Sequence, residues 1–135
     1  MARIPIAFAA LATAGFATSA SAAGSAGFRL QASVPEVCEI HVALPIMAEE
    51  DAVVTAQVFE MCNSQRGFQV IASHRALDAE ESVRIDYGGQ VNELDSSGVS
   101  SLAVRHGPAL RSVPVLVRSA SLASALVISV GMVAI

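Results

Sequence analysis

Residues 53–73 read VVTAQVFEMCNSQRGFQVIAS, and this stretch decides the fold class of the chain. Val53 to Met61 is apolar on both faces, which favours a strand in the interior of a sheet, although Glu60 interrupts the pattern. Asn63 to Gly67 is rich in turn residues, and Phe68 to Ser73 resumes as a second strand. The sequence therefore predicts a β-hairpin over residues 53–73.

The same two-residue period of apolar side chains recurs through most of the remaining sequence. Gly88-Gly89 predicts a tight hairpin turn, and Pro114 predicts an edge strand or the start of one, because proline cannot donate to a strand ladder. No segment shows sustained helical periodicity, so we expect an all-β sandwich of about seven to nine short antiparallel strands. The further strands are expected over residues 28–34, 38–42, 83–87, 90–94, 102–104, 113–117 and 126–135.

The N-terminus has the pattern of a secretion signal. Arg3 is followed by an apolar stretch, Ile4 to Phe16, and then by the small residues Ala20-Ser21-Ala22, which a signal peptidase accepts. The alternative is an N-terminal transmembrane helix, but the apolar core is shorter than the ~20 residues that a span needs. We therefore expect a signal peptide over residues 1–22, a single domain over 23–135, and a mature protein in the periplasm or at the bacterial cell surface.

The two cysteines, Cys38 and Cys62, are the only ones in the chain. In an oxidising compartment such a pair predicts one intramolecular disulfide. A metal pair or a redox pair is the alternative, but neither has the CxxC spacing that those sites use.

The charge of the chain limits its partners. All eight basic residues are arginines, and they are outnumbered by twelve Asp and Glu residues. A negative domain without a basic cluster argues against nucleic acid or an anionic membrane as partner. We expect most of the scattered arginines to be solvated. The uncharged segment Ser119 to Ile135 could be a membrane anchor, but its alternation favours a final core strand, and we expect no stable span in the mature chain.

Catalytic patterns are weak throughout. His41, His74 and His106 could converge on zinc, yet no pair of them has ligand spacing. No GxSxG element marks a nucleophilic serine, and the acidic runs at 49–51 and 80–81 lack EF-hand spacing. We expect a protein that is not an enzyme and that needs no cofactor or metal, with a small secreted hydrolase as the alternative.

The cysteine-containing segments resemble a known family. Residues 34–40, 58–63 and 67–70 are similar to those of the spore coat protein U and chaperone–usher pilin group, in which the second cysteine opens a C-N-x-x-x-G-[aromatic]-x-V element, here Cys62 to Val70. The resemblance implies an incomplete immunoglobulin-like sandwich that lacks one strand and exposes an apolar groove. A periplasmic chaperone would fill the groove first, and a neighbouring subunit's N-terminal segment would replace it at an outer-membrane usher.

The resemblance also implies where the groove lies. The terminal strand should border it, with Leu126, Ile128 and Val130 as the inward contacts. The chain departs from the family at both ends, because only Ala23 to Gly27 precede the first expected strand and no aromatic residue stands near the C-terminus. These departures keep open a second interpretation, a self-complete periplasmic or surface domain that binds a protein or a glycan through its loops.

Overall fold

Nine β-strands form where apolar and polar side chains alternate. The structure is a computed structural model that describes residues 29–135, and this part of the chain contains no helix. The all-β expectation is confirmed, whereas the expected signal peptide lies outside the described residues. The strands are β1 (Cys38–Val42), β2 (Ile46–Ala48), β3 (Val53–Cys62), β4 (Phe68–Ser73), β5 (Ser82–Tyr87), β6 (Gln90–Glu93), β7 (Val99–Arg105), β8 (Ala109–Ala120) and β9 (Leu126–Ala134).

The strands form two antiparallel sheets. The five-stranded sheet has the order β1-β3-β8-β5-β6, and the four-stranded sheet has the order β2-β9-β4-β7. Alternate side chains of each strand point between the sheets, as the period of a strand requires. They form one apolar core whose largest members are Tyr87, Phe68, Ile46, Ile85 and Leu102. The molecule is therefore a β-sandwich.

The connection from β3 to β4 is not the hairpin that the sequence predicted. As predicted, β3 lies inside its sheet, with β1 on one edge and β8 on the other. Because both edges of β3 are occupied, β4 has no place beside it and pairs instead with β7 and β9 in the other sheet. The segment Asn63 to Gly67 therefore carries the chain from one sheet to the other.

Pro114 lies in an interior strand, contrary to the edge position expected from its missing N–H. β8 is paired with β3 and with β5, and Pro114 stands opposite Gln57 of β3. Its carbonyl accepts a hydrogen bond from the Gly88 N–H at 2.9 Å, just where β5 ends in its turn. The N and the carbonyl of one residue face the same neighbour in an antiparallel ladder. The position without an N–H thus faces the Gly88-Gly89 turn, where the ladder between β5 and β8 has already ended.

The first expected strand, over residues 28–34, does not form in residues 29–34, the part of it that the structure describes. Residues 29–37 are in no strand and are exposed, and β1 begins only at Cys38. The alternating segment around Leu30 and Val34 thus precedes the first strand of the sandwich and is in no strand itself. Conversely, Ile46–Ala48 forms the short strand β2, which is not among the strands expected from the sequence.

The C-terminal segment that could have been a membrane anchor forms strands instead. Its residues finish β8 and then build β9, which lies between β2 and β4. Over residues 29–135 we find no helix with the length and apolar character needed to cross a membrane.

Three arginines that were expected to be solvated pair with buried carboxylates. Glu60 is fully buried on β3; it accepts hydrogen bonds from the Tyr87 hydroxyl at 2.8 Å and from Arg111 Nε at 2.7 Å. Arg105 Nε approaches the same carboxylate at 3.8 Å, and its guanidinium lies 5.9 Å from the centre of the Tyr87 ring. Arg105 is on β7, so this cluster links the two sheets.

The second buried carboxylate organises two loops. Glu81 receives both terminal nitrogens of Arg75, at 2.6 and 2.7 Å, and its side chain is only 1% exposed. It also accepts hydrogen bonds from the backbone N–H groups of Asp78 and Ala123, each at 2.8 Å. These contacts tie the segment after β4 to the connection between β8 and β9.

Glu81 should make stability depend on pH in acid. The Arg75 guanidinium, and then the two backbone N–H groups, lower the pKa of the Glu81 carboxyl to about 2, whereas an unfolded glutamate has a pKa of about 4.3. Its contribution is therefore complete above the unfolded value and is lost as the pH falls from about 4.5 to about 2. We expect Glu81→Gln to reduce the acid dependence of the urea unfolding midpoint in this window. The exposed Glu80→Gln is the control, and equal slopes for both variants would contradict the assignment.

Candidate functional site

β9 has one paired edge and one largely open edge. On one side, Ser129 to Ala134 pair with β4 along its full length. On the other side, only Leu126 to Ile128 pair, with the short strand β2. Among residues 29–135, no strand pairs with the remaining part of this second edge. Such a row of free N–H and C=O groups is a template for a strand from another chain.

The open edge lies beside the edge strand of the other sheet. β1 and β9 contact each other although they belong to different sheets. Ile40 and Val42 of β1, and Val130 and Met132 of β9, pack against the core but are only partly buried. We call this border, between Cys38–Val42 and Ser129–Ala134, the β1–β9 gap. A strand that paired with β9 there would displace the contact between β1 and β9, gain backbone hydrogen bonds and cover these four side chains.

The opposite side of the sandwich is closed. The edge strands β6 and β7 follow each other in the chain, and the Asn92 side-chain amide donates to the Leu102 carbonyl at 3.0 Å. The Asp95 N–H donates to the Ser100 hydroxyl at 2.6 Å in the intervening turn. Connections between consecutive edge strands thus join the two sheets on both sides, through β6 and β7 here and through β1 and β2 beside the gap.

The disulfide holds β1 at the border of the gap. Cys38 and Cys62 are bonded, as predicted, and they stand directly opposite each other in the ladder between β1 and β3. The bond thus fixes the first residue of the edge strand to the last residue of an interior strand.

Asn63 is a second support for β1, and one that sequence reasoning missed. Its side-chain Oδ1 accepts from the Val37 N–H at 2.6 Å, and its Nδ2 donates to the Pro35 carbonyl at 2.8 Å. Its own N–H donates to the Val37 carbonyl at 3.0 Å. The asparagine after the second cysteine therefore holds the segment that leads into β1, and its place in the C-N-x-x-x-G element was the one available signal.

The three residues predicted to contact a partner strand all point inward from β9. Leu126 and Ile128 are buried opposite Ala48 and Ile46, so β2 covers this part of the edge. Val130 is partly buried and lies on the open part. The structure thus brings one of the three to the gap, together with Met132. Their contact with a partner strand stays a prediction.

The candidate metal ligands do not form a cluster. His41 lies on β1 near Glu39, with 3.4 Å between Nε2 and the carboxylate, whereas His74 and His106 stand in connections between strands. Nowhere in the part of the chain that the structure describes do three or more His, Cys, Asp or Glu side chains come together as metal ligands could.

Comparisons with known proteins leave the geometry as the basis for function. No family model, no curated protein and no solved structure matches this chain.

Removal of the disulfide should destabilise the domain. The bond closes a loop with a sequence separation of 24 residues, for which the chain-entropy treatment gives about 3 kcal/mol. We expect the double variant Cys38→Ser, Cys62→Ser to lose about this much unfolding free energy and to accumulate less in the periplasm. Wild-type protein treated with a reductant should unfold at the same urea concentration as the untreated double variant. Identical midpoints for oxidised and reduced protein would contradict the prediction.

Proposed function

We propose that this chain is a secreted structural or adhesive subunit of a bacterial surface fibre or coat, completed by a strand from another chain. The observation that carries the proposal is the open edge of β9 at residues 129–134, beside partly buried apolar side chains of β9 and β1. Backbone pairing at such an edge supplies affinity, and alternate side chains that enter the core supply specificity.

The order of the strands supports an incomplete immunoglobulin-like sandwich. A constant-type immunoglobulin domain has strands A-B-E-D in one sheet and C-F-G in the other. If the edge strands β2, β6 and β7 are left out and the other six are lettered along the chain, β1, β3, β8 and β5 give A-B-E-D, and the neighbours β4 and β9 give C-F. Strand G would lie on the edge of β9 that faces away from β4. This is the edge on which residues 129–134 have no partner within residues 29–135.

The N-terminal segment has the pattern expected of a donor strand. Phe28, Leu30, Ala32 and Val34 alternate with polar residues, and the described part of this segment is exposed and in no strand. Seven residues from 28 to 34 match the six residues of open edge. In the proposal this segment of one copy enters the gap of the next copy, after a periplasmic chaperone has first occupied the gap and an outer-membrane usher has exchanged the two.

The decisive experiment uses the processed chain purified from a bacterial periplasm. A labelled synthetic peptide of residues 28–35 should bind saturably and raise the melting temperature, because it pairs with β9 and covers Val130 and Met132. A peptide with Leu30→Asp and Ala32→Asp should not bind. Backbone amides of residues 129–134 should exchange with solvent rapidly in the free protein and slowly with the peptide.

Two variants of β9 form a matched pair for this test. Val130→Glu places a carboxylate in the gap and should abolish peptide binding, whereas Val127→Glu changes the same strand on its outer, exposed side and should leave binding intact. The proposal would be overturned by a monomeric protein that does not bind the peptide and whose backbone amides at residues 129–134 exchange slowly with solvent in its absence.

The second candidate function is a self-complete binding domain for a protein or a glycan. The observation that favours it is β2, which pairs with Leu126–Ile128 and, through buried Ile46 and Ala48, closes part of the edge of β9. Size-exclusion chromatography with light scattering distinguishes the two candidate functions. A stable monomer supports the binding domain, and ladders or aggregates that the peptide prevents support strand complementation.

A further inference from the structure

The outer face of the four-stranded sheet carries no charged side chain. The alternation and burial of β2, β9, β4 and β7 identify the side chains that point away from the core. We call this surface the uncharged face. Its residues are Met47, Gln69, Ile71, Ser73, Val99, Ser101, Val104, Val127, Ser129, Gly131 and Val133.

Apolar side chains on this face are exposed and adjacent. Met47, Val99, Val104, Val127 and Val133 are each about half exposed, at 49–57%. Met47 stands opposite Val127, and Val133 stands across Gln69 from Val104, with Ser129 and Gly131 between the two groups. Single exposed apolar residues need no explanation, but several of them on one uncharged face indicate an interaction site.

The other outer face is different. On the five-stranded sheet, Glu39, Arg84, Asp86, Glu93 and Arg118 point outward. Residues 29–135 carry twelve acidic residues against seven arginines, so two copies of the domain repel each other at most relative orientations. If two uncharged faces meet, the charged faces lie as far apart as the molecule allows.

We propose that the uncharged face is a self-association surface, on which a second copy of this chain packs sheet against sheet. A two-fold axis would bring the same patch of both copies together, with the sheets about 10 Å apart and their strands about 30° from parallel. The occupant is a second copy because an uncharged face complements itself, and because the charge elsewhere on the chain disfavours the other orientations. This surface is the outer side of β9, distinct from the open edge that the proposed function uses.

The area of the face sets the strength of the contact. Four strands about 4.8 Å apart and about six residues long cover about 400 Å² per copy. A total of about 800 Å² is below that of a stable complex, so we expect a weak dimer with a Kd of about 0.1–1 mM. Such a contact becomes effective when many copies are held side by side, because a weak contact repeated along an array adds up.

The three methionines of the described residues report on three separate surfaces. Met47 lies on the uncharged face, Met61 on the outer side of the five-stranded sheet, and Met132 in the β1–β9 gap. Methyl NMR of the processed chain, labelled at methionine and recorded from about 20 µM to 2 mM to span the expected Kd, therefore locates any self-association. We expect the Met47 signal to shift with concentration while those of Met61 and Met132 stay in place.

Matched valine variants complete the test. Val127→Glu places a carboxylate of each copy at the contact and should weaken association at least about tenfold. Val91→Glu makes the same change at an equally exposed valine on the charged sheet and should have no such effect. Sedimentation velocity gives the Kd of each.

Each other outcome has a defined meaning. If the Met132 signal shifts and the peptide of residues 28–35 suppresses that shift, the copies associate by strand exchange alone. If the Met61 signal shifts, the contact is the adjacent apolar cleft formed by Val37, Pro108 and Leu110. Either result overturns the self-association surface, as does a Met47 signal that stays fixed to 2 mM. If the peptide does not bind but the Met47 signal still shifts with concentration, only the strand-complementation proposal is overturned.

Discussion

Glu60→Ala is expected to lower the unfolding free energy by about 3–5 kcal/mol. The carboxylate is fully buried and accepts hydrogen bonds from Tyr87 and Arg111, with Arg105 close by. Its removal leaves the buried Tyr87 hydroxyl without its acceptor and takes the counter-charge from Arg111 and Arg105, whose side chains are 43% and 24% exposed. Urea unfolding gives the free energy, and the exposed Glu93→Ala should change it by no more than about 0.5 kcal/mol.

The single tyrosine offers an independent readout of the same cluster. Burial, and then the hydrogen bond to Glu60, raises the pKa of the Tyr87 phenol well above its usual range. The folded state therefore keeps the phenolic proton, and stability is lost as the pH rises above about 10, the unfolded pKa of tyrosine. In an absorbance titration the wild-type phenol should ionise only with unfolding. Ordinary titration of Tyr87 in the folded wild type, or unchanged stability of Glu60→Ala, would show that the cluster does not exist as described.

Gly67→Ala is expected to lower the unfolding free energy by at least about 3 kcal/mol, because strain and overlap add at one position. Gly67 has a φ of +108°, which side-chain-bearing residues rarely adopt. A Cβ there would overlap the Arg105 carbonyl oxygen and stand 3.0 Å from His106 Cα, both part of the backbone. The crossing from β3 to β4 would have to move, and the pairing of Phe68 with Arg105 would move with it.

A nearby glycine separates the two causes. Gly107 has a φ of +74°, but a Cβ there would meet nothing within 4 Å. Gly107→Ala should therefore show only the conformational cost, about 1 kcal/mol. Melting temperatures of the two variants measure the difference. Equal losses would show that the contact with the Arg105 backbone does not matter.

The sequence predicted most strands, and the reason is physical. The alternation of apolar and polar residues reflects which side chains face the core. It therefore predicted the positions of β1, β4, β5, β8 and β9 to within a few residues. The disulfide followed from the compartment and from the absence of further cysteines, and the Gly88-Gly89 hairpin followed from turn chemistry. All of these features depend on local sequence or on composition.

Pairing between strands could not be predicted in the same way. The alternation of residues 68–73 is compatible with either sheet, so the assumed hairpin with β3 was wrong. The proline rule failed at Pro114, because a strand can be interior and still have a locally unpaired position. Residues 28–34 alternate like a strand, yet their described part pairs with no sheet edge.

The candidate site depended on the same long-range information. The family resemblance directed attention to β9, but the limits of the gap depend on β2, whose three residues carry too short a pattern to detect. The Glu60 cluster was also missed. A lone acid in an apolar strand indicates a partner, but it does not show which of the seven arginines in residues 29–135 is that partner.

The position of β9 constrains when this protein can fold. It is the last of the nine strands to be synthesised, yet it lies inside the four-stranded sheet, where it joins β2, some 80 residues earlier, to β4. Until β9 arrives, β2 has no neighbour in its own sheet. Under the proposed function the chain crosses a membrane N-terminus first, so it would present incomplete apolar sheets throughout its passage, and long-range pairings of this kind form slowly. An exported chain with this fold would therefore need protection in transit, whatever finally occupies its open edge.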